Sequence, residues 1–137
     1  MKYDIISLKL HALDKALKTL SDVLDRIEYG VSNNDINYFY DSSIQRFEYT
    51  FELFWKTLQE ILKYHFQKET GGAKSTIDAS FEEGIITNSL IRFDMLELRN
   101  KTSHIYDEDQ VIELSTLIPG YYKHLLHDFK TLQKNYS

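Results

Sequence analysis

The sequence predicts an all-α protein, an up-and-down four-helix bundle with one extra short helix. Three observations carry that expectation. Apolar residues recur with helical 3-4 spacing over most of the chain, and only 5 Gly and 1 Pro interrupt 137 residues. Apolar residues make up 42% and charged residues 27%, the balance of a water-soluble globular domain. The length suits a single domain, residues 1–137, with a real core.

The first helix is expected from about residue 5 to 29. Leu10, Leu13, Leu17, Leu20, Leu24 and Ile27 form one seam along it. Gly30 and Ser32-Asn33-Asn34 supply a C-cap and a turn. The second helix is expected from about 35 to 66, with Ile44, Phe47, Phe51, Phe54, Leu58 and Ile61 as its seam. Two long seams joined by a short turn describe an antiparallel hairpin. Gln67 to Ser75, with Gly71-Gly72, is a loop, and a short helix is expected from Thr76 to Gly84. Asn88 or Ser89 can cap a further helix whose inner face would carry Leu90, Phe93, Leu96 and Arg99. The last helical stretch, about 107 to 134, has Val111, Leu114, Ile118, Tyr121, Leu125 and Phe129 on one side. Pro119 lacks an amide hydrogen, so a kink or break is expected near Ile118.

Several function classes have no support. The absence of Cys excludes disulfides, thiolate metal sites and a cysteine nucleophile. No apolar run approaches the ~18 residues of a membrane span. Met1-Lys2-Tyr3-Asp4 does not start a signal peptide, so a cytoplasmic protein is expected. The net charge of −5 opposes bulk attraction to nucleic acid, so any RNA contact needs a local cationic patch. No glycine-rich phosphate loop follows a strand, and no cofactor is implied. His124, His127 and Asp128 share one helical turn, but without a third ligand group they are expected to be a solvated face, with no metal bound. Phe39, Tyr40, Phe47, Tyr49, Phe51, Phe54 and Trp55 occupy more than one face of the second helix. They make either a wide core or a core plus an exposed partner surface.

The segment richest in chemistry is Arg99-Asn100-Lys101-Thr102-Ser103-His104-Ile105-Tyr106. Arginine offers a permanent cation in a fork suited to phosphate, and histidine titrates near neutrality. Tyrosine carries a phenol that can be modified. A shuffled chain of this composition would hold the Arg-x4-His-x-Tyr pattern roughly once in a hundred, and a plain helix end would use the same residue types. On an ideal helix Arg99 and His104 diverge by about 140°. Either the helix ends inside the segment or a second subunit completes the site. Asn100 lies one turn from His104 if the helix continues, and Asp107, Glu108 and Asp109 suit the cap of the next helix.

Three blocks, in order, add a resemblance. They are Ile44-Gln45-Arg46-Phe47-Glu48-Tyr49-Thr50-Phe51-Glu52-Leu53-Phe54-Trp55-Lys56-Thr57-Leu58, then Ser80-Phe81-Glu82-Glu83-Gly84-Ile85-Ile86, then Met95-Leu96-Glu97-Leu98-Arg99-Asn100-Lys101-Thr102-Ser103-His104-Ile105-Tyr106-Asp107. Together they resemble the nucleotidyltransferase substrate-binding protein family, which looks like a branch of the HEPN (higher eukaryotes and prokaryotes nucleotide-binding) superfamily. Phe93 departs from the pattern, where a tryptophan is expected. The resemblance implies a helical bundle that forms a homodimer and pairs with a separately encoded minimal nucleotidyltransferase. In related toxin–antitoxin pairs the HEPN member is a ribonuclease toxin, and the nucleotidyltransferase inactivates it by adenylylating a tyrosine. Carried over, Arg99 and His104 are the catalytic pair and Tyr106 is the AMP acceptor, with Asn100 and Lys101 supporting. Such a ribonuclease needs no metal ion. The alternative is a non-catalytic substrate-binding or adaptor subunit of a two-component nucleotidyltransferase.

Overall fold

A computed structural model describes residues 2–102 and 107–137, with side chains from Ile5 onwards. Six helices and no strands occur among the described residues. They are α1 (Lys2–Tyr29), α2 (Ile36–His65), α3 (Ala73–Glu82), α4 (Ser89–Thr102), α5 (Glu108–Ser115) and α6 (Ile118–Tyr136). The all-α bundle expected from the periodicity is what forms.

α2 is the central element and packs against every other helix. Its predicted seam is buried throughout: Ile44, Phe47, Phe51, Phe54, Leu58 and Ile61 are each 5% exposed or less. Leu10, Leu13, Leu17 and Leu20 of α1 close on that seam, while Leu24 lies at its edge. Leu125, Phe129 and Leu132 of α6 complete the core from another side. Three phenylalanines stacked along one helix bury a large apolar area, which is what drives such a bundle together.

The turns follow the predicted chemistry. Gly30 has φ +132 and its amide donates to Arg26 O at 3.2 Å, ending α1. Gly84 has φ +75, and the amide of Ile85 beyond it returns to Ser80 O at 2.8 Å. These are positions where a residue with a Cβ is strained. Asn88 caps α4 by accepting from the Leu90 amide at 2.9 Å, and Asp107 caps α5 by accepting from the Gln110 amide at 2.9 Å.

Two expectations need correction. The short helix starts at Ala73 rather than Thr76, because the Ser75 hydroxyl accepts from the Gly72 amide at 3.3 Å and supplies an earlier start. The break expected near Ile118 is present: α5 stops at Ser115 and α6 begins at Ile118, with Pro119 in its first turn, where the missing amide hydrogen is harmless. On α4 the inner face is Arg92, Met95 and Leu98, while Phe93 and Leu96 are half-buried and Leu90 is exposed. Arg92 on this inner face pairs with the buried carboxylate of Asp128.

Candidate functional site

The last turn of α4 delivers Arg99, Asn100 and Lys101. Basic residues there also offset the negative end of the helix dipole. Thr102 Oγ1 donates to Arg99 O at 2.8 Å, closing the turn. Asn100 and Lys101 are exposed, and the Arg99 side chain is about 30% exposed. His104 and Tyr106 lie outside the described residues, as do Ser103 and Ile105. The divergence expected between Arg99 and His104 therefore has no measured counterpart.

Arg99 Nη1 donates to Glu52 Oε1 on α2, a bridge between residues far apart in sequence. The other Glu52 oxygen accepts from the Trp55 indole Nε1 at 3.1 Å and lies 3.8 Å from Lys56 Nζ. Glu52 thus gathers a guanidinium, an indole and an ammonium at one carboxylate. Its place inside an aromatic block gave no hint of this role.

A cleft of about 510 Å³ opens between α2, the end of α4 and the start of α5. α2 contributes Asp41, Gln45 and Glu48 to it, the end of α4 contributes Thr102, and the start of α5 contributes Asp107 and Glu108. Its walls bracket the 103–106 segment in sequence. Four carboxylates make it an acidic mouth, which repels phosphate and suits basic groups.

The outer face of α2 carries Tyr38, 70% exposed, and Tyr49, 56% exposed, on either side of exposed Arg46. The aromatic excess of α2 therefore divides between core and exposed surface. Phe47, Phe51 and Phe54 are core, and the tyrosines are an open surface.

A second buried polar centre lies between α4 and α6. Arg92 Nε donates to Asp128 Oδ2 at 2.8 Å, Nη2 donates to Oδ1, and Nη1 donates to Asn88 O at 2.7 Å. The side chains are only 3% and 7% exposed. Burial holds the Asp128 carboxyl above its usual range, and Arg92, His127 and His124 pull it back. His124 and His127 themselves are exposed, as expected, but Asp128 is not part of a solvated face. Among the described residues no group of three or more His, Cys, Asp or Glu is placed to hold a metal ion. No described helix is long and apolar enough to cross a membrane.

The fold and its charged inter-helix centres define a small helical bundle with a cleft between α2, α4 and α5. The chain belongs to the family described as nucleotidyltransferase substrate binding protein like, whose model matches residues 8–135. It is also similar to a crystal structure of a protein from Thermus thermophilus, at 30% sequence identity and a TM-score of 0.72. That similarity covers 85% of this chain and 94% of the other. No curated protein matches the sequence.

Proposed function

We propose that this chain is the partner of a separately encoded minimal nucleotidyltransferase, and that the segment from Arg99 to Tyr106 is where the pair meets its chemistry. In this reading the unmodified chain is a ribonuclease toxin. His104 takes the proton from a ribose 2′-hydroxyl, whose oxygen attacks the adjacent phosphorus. The 5′-oxygen leaves with a proton, giving a 2′,3′-cyclic phosphate. Arg99 stabilises the charge that builds on the phosphoryl oxygens. Asn100 orients His104, and Lys101 adds local positive charge. The nucleotidyltransferase silences the toxin when the Tyr106 phenol oxygen attacks the α-phosphorus of ATP and pyrophosphate leaves. The added AMP brings bulk and negative charge to the site RNA must enter.

The observation that supports this reading best is Arg99 itself. The family to which the chain belongs is named for binding a nucleotidyltransferase substrate, and the fold holds Arg99 by a cross-helix bridge at the entrance to the segment bearing His104 and Tyr106. The reading includes a homodimer, in which two copies of the segment supply acid and base. The exposed Tyr38 and Tyr49 offer a surface for it. Sedimentation at micromolar concentration should show the dimer, and only monomer with full activity would remove it.

A second reading has its own support. Glu52 already neutralises Arg99, and four carboxylates line the neighbouring cleft. Both favour a non-catalytic adaptor that docks a basic surface of the nucleotidyltransferase. One experiment separates the two. AMP-free wild-type protein is incubated with cellular RNA in EDTA buffer, beside Arg99→Ala and His104→Ala. The toxin reading expects cleavage by wild type and a loss of about 10²–10⁴-fold in either variant. No cleavage by wild type, together with co-purification with the nucleotidyltransferase, selects the adaptor.

A further inference from the structure

We propose that the Arg92–Asp128 pair is a positioning clamp, which fixes the rotation of α4 and thereby the aim of Arg99. Arg92 and Arg99 are one heptad apart, so on a helix they lie on nearly the same face, with a drift of about 20°. The face between them is completed by buried Met95 and Leu98. α4 has only three buried residues, and Arg92 is one of them. The helix packs on α2 and α3, and the clamp ties it to α6. A small rotation about the helix axis swings a long side chain such as Arg99 by far more than it moves the backbone.

The form of the clamp suits this role. Asp128 meets Arg92 at two points, and the third guanidinium nitrogen is held by Asn88 O within α4 itself. A planar fork engaged on all sides leaves one orientation, which a lysine does not reproduce. Desolvation opposes the pair, and a buried ion pair is a weak source of net stability compared with apolar residues of similar volume. Fixed geometry is what it supplies instead.

Trp55 reports on the far end. It is the only tryptophan, and its indole donates to the same Glu52 that pairs with Arg99. A change in the aim of Arg99 alters the charge and freedom of Glu52 and so moves the indole N–H resonance. The effect on activity rests on the role proposed above for Arg99; the effect on the resonance follows from the helix geometry alone.

The test uses nitrogen-15-labelled full chain in four forms: wild type, Arg99→Ala, Arg92→Lys, and the double variant Arg92→Leu with Asp128→Leu. Arg99→Ala fixes the resonance position when the bridge is gone. The double variant should unfold at a urea concentration equal to or above that of wild type. Its indole resonance should nevertheless move most of the way to the Arg99→Ala position, with several-fold faster hydrogen exchange. Arg92→Lys, which keeps the buried charge but not the fork, should move it in the same direction. RNA cleavage or AMP acceptance should fall by about tenfold or more, as small misplacements of catalytic groups do. A resonance at the wild-type position in the folded variants overturns the clamp, and Arg92→Lys decides alone if the double variant does not fold. If wild type neither cleaves RNA nor accepts AMP, the functional reading fails and the resonance still decides the clamp.

Discussion

Removing Arg92 alone should be far more damaging than removing the whole pair. Arg92→Leu leaves Asp128 in place, 7% exposed, with its nearest cation gone. Breaking a buried pair from one side costs about 3–5 kcal/mol, because the remaining charge has neither water nor a partner. With a urea slope of about 2 kcal/mol/M, the unfolding midpoint should drop by about 1.5–2.5 M. The second substitution, Asp128→Leu, removes the orphaned charge and should restore the midpoint to wild type or slightly above. The two residues are in direct contact, so the effects are expected to be strongly non-additive. Urea unfolding followed by circular dichroism measures all three variants. A midpoint drop under about 0.5 M for Arg92→Leu, or additive losses in the double variant, would refute the assignment of a desolvated pair.

Other outcomes follow from the same structure. Burial holds Asp128 above its ordinary pKa of 3.8, so the native chain binds more protons than the unfolded chain between those two values. Its contribution to stability therefore grows as pH falls through the folded pKa and is lost as pH rises, so wild type should gain on Asp128→Asn in urea midpoints taken from pH 7 towards pH 4. Phe51→Ala removes a fully buried ring from the centre of α2 and should cost about 3–5 kcal/mol by the same assay. Gly84→Ala meets no neighbouring atom within 4 Å but keeps φ +75, so a cost of about 1–2 kcal/mol should come from backbone conformation alone.

The hairpin of α1 and α2 was legible because its apolar positions repeat without exception from Leu10 to Leu20 and from Ile44 to Ile61, and burial simply followed that pattern. The caps were legible for a local reason: Gly30, Asn88 and Asp107 each act on backbone groups within four residues. α4 was not, because the helical spacing of Leu90, Phe93 and Leu96 points to a different face from the one that buries Arg92, Met95 and Leu98. Arg92 belonged to the inner face only by virtue of Asp128, which lies 36 residues further along. The same holds for Glu52, whose partner Arg99 is 47 residues away. Long-range polar pairs leave no periodic trace, since each partner alone resembles a solvated side chain. Of the candidate site, the structure describes Arg99, Asn100 and Lys101, and the positions of His104 and Tyr106 lie outside it.

In the function proposed above, a nucleotidyltransferase partner acts on this chain at Tyr106. The most direct measurement is intact-mass spectrometry of the chain co-expressed with a minimal nucleotidyltransferase encoded beside it, then supplied with ATP. The two proteins should co-purify, and the wild-type chain should gain one or more AMP additions that are absent from Tyr106→Phe. No association and no added mass on wild type, or AMP additions that persist in Tyr106→Phe, would contradict it.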